Sequence, residues 1–233
     1  MRIENSVALV TGANRGLGLA FVRALLAAGA RKAYAGARNP ATVTQNGVQP
    51  IRLDVTRPDE VASAVAECGD VNLIINNAGI ALGKSFLSAD GIEAARAELE
   101  TNYLGPLAIS RAFAPVLARN GGGAIVNVNS VLSWINTPAF ATYSASKAAA
   151  WSLTNGLRNE LRGQGTRVLA LHVGYMDTEM ASHVQTPKAD PADVARQVLA
   201  ALEAGREEVL ADDITRRVKQ GLSAEPAVYI QFR

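Results

Sequence analysis

The chain is poor in the residues that metal and thiol chemistry need. It holds one cysteine, Cys68, and two histidines, His172 and His183, among 233 residues. A lone cysteine excludes an intramolecular disulfide. One cysteine and two histidines also exclude a closed zinc site of four Cys/His ligands. An excess of charge is missing too. Lys and Arg total 23 against 21 for Asp and Glu, a formal charge of +2. That balance supplies no basic field for nucleic acid. No apolar run reaches the roughly 18 residues of a membrane span. The first residues, Met-Arg-Ile-Glu-Asn-Ser, lead at once into a strand-like run. They lack the apolar stretch and cleavage site of a signal peptide, so the expected location is the cytoplasm.

Hydrophobic residues make up 48% and charged residues 19%, the composition of a soluble globular protein. The length suits one domain over residues 1–233. Short apolar runs at 7–10, 32–37, 50–55, 71–75, 123–128, 167–173 and 208–211 read as strands. Amphipathic stretches at 16–28, 57–68, 92–119, 143–161 and 191–204 read as helices, the third bent at Pro106 or Pro115. Strands alternating with helices, and apolar throughout, predict a doubly wound α/β fold with a parallel sheet covered on both faces. Residues 175–190 form the most loop-like part of the later chain, a short substrate loop over an open cleft.

The first strand runs into Thr11-Gly12-Ala13-Asn14-Arg15-Gly16-Leu17-Gly18. Glycines at a strand-to-helix turn let the backbone approach a pyrophosphate, which the helix N-terminus then attracts. The bland alternative is a tight connection only. No Lys-Ser/Thr follows, so this is not a P-loop. After the second strand, where NAD-binding folds carry an acid for the ribose hydroxyl, stands Ala37-Arg38. Arg38 and Arg15 suit a 2′-phosphate, and residues 31–46 hold no carboxylate to repel it. This points to NADP(H) over NAD.

Ser130 closes the fifth strand, and Tyr143-Ser144-Ala145-Ser146-Lys147 opens the next helix. Positions i and i+4 share a helix face, so Tyr143 and Lys147 point the same way. A neighbouring ammonium favours the phenolate, and a tyrosine so tuned can exchange a proton with a carbonyl or alcohol oxygen. Ser130 can donate a hydrogen bond to that oxygen. Ser144-x-x-Lys147 also matches a serine-hydrolase motif, but its partner motifs Ser-Asp-Asn and Lys-Thr-Gly are absent, as is Gly-x-Ser-x-Gly. Val131, Leu132, Phe140, Tyr175 and Met180 flank these positions and predict an apolar pocket, also lined by Ser130 and Tyr143. His172 reads as a packed histidine and His183 as a solvated residue of the loop after Thr178, with a place near the substrate mouth as the alternative. Asp177 and Glu179 read as solvated loop charges.

The glycine turn, Asn76-Asn77-Ala78-Gly79, Ser130 and Tyr143-x3-Lys147 together resemble the compact short-chain dehydrogenases/reductases, from about residue 7 to 178. The glycine turn with Asn14 is most similar to that of NADP-preferring carbonyl reductases. The resemblance implies a single Rossmann-like domain with seven parallel strands. It also implies NADPH-dependent, reversible reduction of an aldehyde or ketone, the hydride coming from the nicotinamide and the proton from Tyr143. In that family Lys147 would tune Tyr143 and bind the nicotinamide ribose, Ser130 would orient the substrate, and Asn102 would complete a proton relay. The cofactor would be held by Gly12, Asn14, Arg15, Gly16, Leu17 and Gly18 of the turn, and by Arg38. Asp54, Val55, Asn77, Ala78 and Gly79 would surround the adenosine half. Tyr143, Lys147, Gly174, Met176 and Thr178 would meet the nicotinamide half. Val173 stands where the family has proline. Without proline's fixed φ, the loop beyond it is expected to be less rigid. Family members form dimers or tetramers, and the predicted helices at 92–119 and 143–161 could pair.

Two other classes fit part of the pattern. A redox sensor that binds NADP without turnover would share the fold, but such proteins typically lack the tyrosine or lysine. Sugar-nucleotide epimerases share Tyr-x3-Lys, but need a larger domain than the roughly 55 residues after Thr178 provide.

Overall fold

In the computed structural model, which describes residues 1–182 and 185–231, the central strands are buried along nearly their whole length. Strand β1 (Val7–Thr11) is buried throughout. Its Ala8 and Val10 belong to one hydrophobic cluster, and its Val7 and Leu9 to another. A strand buried on both faces must divide its side chains this way. The partners are β2 (Lys32–Ala37), β3 (Gln49–Arg52), β4 (Leu73–Asn76), β5 (Ala124–Val128), β6 (Arg167–His172) and β7 (Glu208–Leu210). Among the described residues these strands form one parallel sheet in the order β3-β2-β1-β4-β5-β6-β7. The expected single-domain, doubly wound, Rossmann-like sheet of seven strands is present.

Helices α1 (Gly16–Ala27) and α6 (Pro191–Glu203) cover one face. There Phe21, Leu25, Val194 and Val198 pack on Val10, Ile75, Val126 and Leu171. Helices α2 (Pro58–Glu67), α4 (Gly105–Arg119) and α5 (Ala141–Glu160) cover the other, with Ile109, Phe113, Leu117 and Leu157 against Leu9, Ile74 and Ile125. Between β4 and α4 lies α3 (Gly91–Leu99). Strand order reverses between β1 and β4, and the carboxyl ends of strands at such a point open a crevice for a ligand.

Three elements differ from expectation. The helix predicted over 92–119 is interrupted ahead of both prolines, and α4 runs on through Pro115. A π-helical segment, Glu100–Leu104, separates α3 from α4, and Pro106 sits harmlessly in the first turn of α4. Residues 213–221 form a helix, α7 (Asp213–Gly221), that the pattern did not announce; α8 (Val228–Gln231) comes after it. These two and residues 131–135 make a third, small cluster of Val131, Trp134, Ile135 and Val218. The predicted loop at 175–190 is partly ordered by a bridge between Met176 and Ala189 and by a 3-10 turn at Glu179–Ala181. His183 lies outside the described residues. No helix among the described residues is long and apolar enough to cross a membrane.

Candidate active site

The crevice is built first by close approach. Gly12 has φ +64, and a Cβ there would lie 3.1 Å from Ala78 Cα. A Cβ on Gly18 would meet Gly12 O at 2.1 Å, so α1 can start this close to β1 only with glycine. The Asn77 amide seals the joint, donating to Thr11 O at 2.9 Å and Gly12 O at 3.1 Å. Thr11 Oγ1 accepts the N–H groups of Asn77 and Ala78, both at 3.0 Å. Asn77 therefore ties the glycine turn to β4 with the side chain that the family resemblance places beside the cofactor.

Helix α1 begins with no side-chain cap and no acid in its first turn. Its leading N–H groups and positive dipole end are left to an external anion. Gly16 and Leu17 open that first turn. Asn14 donates to Thr42 Oγ1 at 3.1 Å, holding the turn against the segment after β2. Thr11 lies opposite Gly36 in the β1/β2 pairing, so the turn that carries Arg15 to the start of α1 leaves β1 beside the end of β2, where Arg38 follows. Both are exposed. Arg15 does not stand alone: it is paired with Glu179, and Asp177 lies 3.9 Å from Lys188. Glu179 and Asp177 are solvated loop charges as expected, 74% and 80% exposed, and the pairing of Glu179 with Arg15 brings the loop after β6 back to the glycine turn. Thr178 Cγ2 would sit 3.4 Å from a Cβ on Gly16.

At the end of β3, Asp54 holds Thr56 N and Oγ1 at 3.0 and 2.8 Å through one carboxylate oxygen. Val55 is buried, and its Cγ2 would lie 2.6 Å from a Cβ on Gly105. Its side chain is a packing surface for α4.

The four proposed catalytic side chains come together across the β4 and β5 ends. Asn102 sits in the π segment, 1% exposed. Its amide bonds both Ile80 N and Ile80 O at 2.9 Å, and donates to Ser146 Oγ at 2.9 Å. Ser146 Oγ in turn donates to Tyr143 O at 2.7 Å. A Cβ on Gly79 would lie 3.0 Å from Asn102 Oδ1 and 3.8 Å from Lys147 Nζ, so Gly79 passes between them. Lys147 is 5% exposed, and its ammonium donates to Val128 O at 2.8 Å. It stands 5.7 Å from the centre of the Tyr143 ring. Burial holds Lys147 down at about 8.

Tyr143 behaves differently from expectation. Burial pushes its hydroxyl well above the usual phenol range, a hydrogen bond with Ser130 pulls it back, and the charge of Glu98 pushes it up again. The ammonium of Lys147 is not what sets this balance here, since it is aimed at the Val128 carbonyl. Glu98, fully buried on α3, accepts Leu82 N–H at 2.7 Å. Nothing in the sequence pattern singled it out.

Ser130 Oγ accepts Leu132 N–H at 3.1 Å and opens a 3-10 turn, Val131–Ser133. Of the expected pocket residues, Phe140 meets Tyr143 edge-on at 6.5 Å, and Leu132 is half-buried. Tyr175 and Met180 are exposed, at 43% and 52%. Val131 departs from the expectation of a pocket wall. It is buried in the cluster with Trp134, Ile135 and Val218, the last from α7. The loop after β6 is also firmer than valine at 173 implied. Val173 O accepts Val131 N–H at 3.0 Å, and Gly174 N donates to Asp212 Oδ2 at 2.7 Å. Met176 is held through its bridge to Ala189.

A family model described as short chain dehydrogenase matches residues 6–189. A solved short chain dehydrogenase from Burkholderia cenocepacia, in complex with NADP, is similar at TM-score 0.93. It is 45% identical, over 97% of this chain and 96% of that one. The galactitol 2-dehydrogenase (L-tagatose-forming) of Cereibacter sphaeroides is 38% identical over 77% of this chain and 74% of its own length. The NADP-dependent 3-hydroxy acid dehydrogenase of Schizosaccharomyces pombe is 28% identical, over 94% and 95% respectively.

Proposed function

Because the chain belongs to the short-chain dehydrogenase family of oxidoreductases, we propose that it uses NADPH to reduce a small hydrophobic aldehyde or ketone to the alcohol, reversibly. One observation carries the reading. The Tyr143 hydroxyl is influenced by Ser130 at the crevice, and the buried ammonium of Lys147 stands 5.7 Å from the centre of its ring.

The crevice fits a dinucleotide. The uncapped start of α1 offers N–H groups to the pyrophosphate, and the glycines leave room for it. Arg38 and Arg15 would hold the 2′-phosphate. The exposed pair of Arg15 with Glu179 is worth about 1 kcal/mol at most, so a phosphate dianion displaces the carboxylate. Asp54, Val55, Ala78 and Gly79 would border the adenosine, and Gly174, Met176 and Thr178 the nicotinamide. When bound, NADPH supplies the hydride.

The protein supplies the proton and the geometry. Ser130 donates to the substrate oxygen and fixes it beside the Tyr143 hydroxyl. Tyr143, kept protonated by burial, gives up its proton as charge develops on that oxygen. Lys147 places a positive charge where it stabilises the phenolate left behind. Asn102 holds the Ile80 backbone so that Gly79 stays between it and Lys147. The proposed relay from Tyr143 runs through Lys147 and the Asn102 site. Leu132, Phe140, Tyr175 and Met180 favour an apolar substrate. The galactitol and 3-hydroxy acid dehydrogenases act on a polyol and a hydroxy acid, so the substrate class rests on these side chains and not on kinship.

Tyr143→Phe keeps the ring and removes only the proton. Carbonyl reduction should fall by a factor of about 10²–10⁴, while NADPH binding, followed by nucleotide fluorescence, stays near the parent value. A variant that retains most of its turnover would remove Tyr143 from this role.

A further inference from the structure

His172 ends β6 and is completely buried. Its Nδ1 lies 3.2 Å from Ser130 O. A carbonyl can only accept, so Nδ1 carries the proton and donates. Burial holds the imidazole down at about 4; the Ser130 carbonyl and the charge of Glu208 push it up by less, and the charges of Lys219 and Lys147, which also face it, push it further down. The ring is then neutral with a single N–H, and that N–H is on Nδ1. Nε2 is left a bare acceptor, and it is buried with no hydrogen-bond partner among the described residues.

The same ring stacks on Trp134, centroids 4.0 Å apart and planes 21° from parallel. Trp134 is closed from its own surroundings by Lys219, whose ammonium lies 5.1 Å from the indole and is bound to Glu208 at 2.7 Å. Ser130 and Trp134 are the two flanks of the turn Val131–Ser133. Inside the turn, Ser133 N–H bonds Ser130 O at 3.0 Å, and Ser133 Oγ accepts Ser130 N–H at 3.3 Å. These bonds set the shape of the turn but not its attitude to the sheet. Asn129 N and Val131 N bond Leu171 O and Val173 O at 2.7 and 3.0 Å. His172, lying between those two acceptors in sequence, is the side chain from the sheet that, among the described residues, reaches the Ser130 carbonyl and also stacks on the far flank.

We propose that His172 is a positioning residue: it anchors the Ser130 carbonyl through Nδ1–H and Trp134 through its ring face, and so aims the Ser130 hydroxyl at the substrate oxygen. The aim of the hydroxyl rests on the carbonyl-reduction reading; the anchorage does not. The two are therefore tested separately.

The chain has only two histidines, so nitrogen-15 spectra of the imidazoles in the unmutated protein resolve His172. It should remain the neutral Nδ1–H form between about pH 5.5 and pH 9. A proton on Nε2, or titration inside that range, overturns the anchorage whatever the enzyme reduces. The kinetic arm compares His172→Asn, whose amide N–H replaces Nδ1, with His172→Gln, whose amide falls at the Nε2 position. Against whichever carbonyl the parent reduces, Asn should hold kcat within about threefold and Gln should lose about tenfold or more. The KM for NADPH should stay within about twofold for both. Equal losses in the two variants, or no loss in either, overturn the positioning role. Absence of any parental turnover would count against the carbonyl-reduction reading alone, and the spectra would still decide the anchorage.

Discussion

Lys147 is the residue whose placement is least comfortable and most telling. An ordinary lysine ionises near 10.4; burial holds this one at about 8. The folded protein thus binds fewer protons than the unfolded chain between those values, and stability rises with pH through that window. Below about pH 8 the full cost of burying the ammonium is present. Lys147→Met should therefore stabilise the protein near pH 7, by on the order of 1–2 kcal/mol once the orphaned Val128 carbonyl is counted. The advantage should shrink above about pH 8, cross zero near about pH 9 and reverse by about pH 10.4, because the parent gains about 3 kcal/mol across that window. Thermal melts of both proteins across pH check this; a difference that does not change with pH would refute the buried charge. A buried ammonium that weakens the fold fits a functional demand more than a structural one. Its pairing with Tyr143 was legible from spacing, since i and i+4 share a face. What spacing did not reveal is that the ammonium points at Val128 O, and that burial outweighs it at the tyrosine. Glu98 was invisible for the same reason: a glutamate in an amphipathic stretch reads as solvated until the packing of α3 is known.

At the scale of elements, strands were easier to read than helix breaks. β1, β4, β5 and β6 are apolar on both faces, and any chain segment of that kind needs two covering layers. The π segment Glu100–Leu104 carries no glycine or proline to mark it, whereas the conspicuous Pro106 and Pro115 fall in the first turn and the interior of α4. α7 was missed although Ile214, Val218 and Leu222 form a stripe at i, i+4 and i+8 that packs on the third cluster, because the helix is short and the rest of it is polar or charged. Its start is nonetheless well determined. Asp212 Oδ1 accepts Thr215 N–H at 2.9 Å, while Oδ2 accepts Gly174 N–H at 2.7 Å. One carboxylate caps α7 and pins the loop after β6. Asp212→Ala should cost about 1–2 kcal/mol in denaturant unfolding, and should also weaken NADPH binding by loosening Gly174. Asp212→Asn, which can keep the cap, should lose less of both. If the alanine variant binds NADPH as tightly as the parent, the anchor on Gly174 has no bearing on the cofactor.

The whole molecule is a cofactor fold with very little left over. Residues 6–189 carry the family match, and the chain beyond them supplies α6, β7, α7 and α8. α7 and α8 pack under the Ser130 turn through Trp134, Val218 and Val228, so even the last elements support the site. The near-neutral charge that excluded nucleic acid conceals two exposed arginines at the end of the crevice proposed for the 2′-phosphate. The fold was legible because alternation and burial are properties of the sequence itself. The substrate wall was legible only in part, because Val131 faces a cluster joined by an unforeseen helix. The central claim is that this crevice performs NADPH-dependent carbonyl reduction. Its most direct test follows the absorbance of NADPH, and separately of NADH, against a panel of aliphatic and aromatic aldehydes and ketones. The account predicts consumption of NADPH with apolar carbonyls, and much slower consumption of NADH. Binding of NADPH with no consumption across the panel, the behaviour of a redox sensor, would contradict it, as would a preference for NADH.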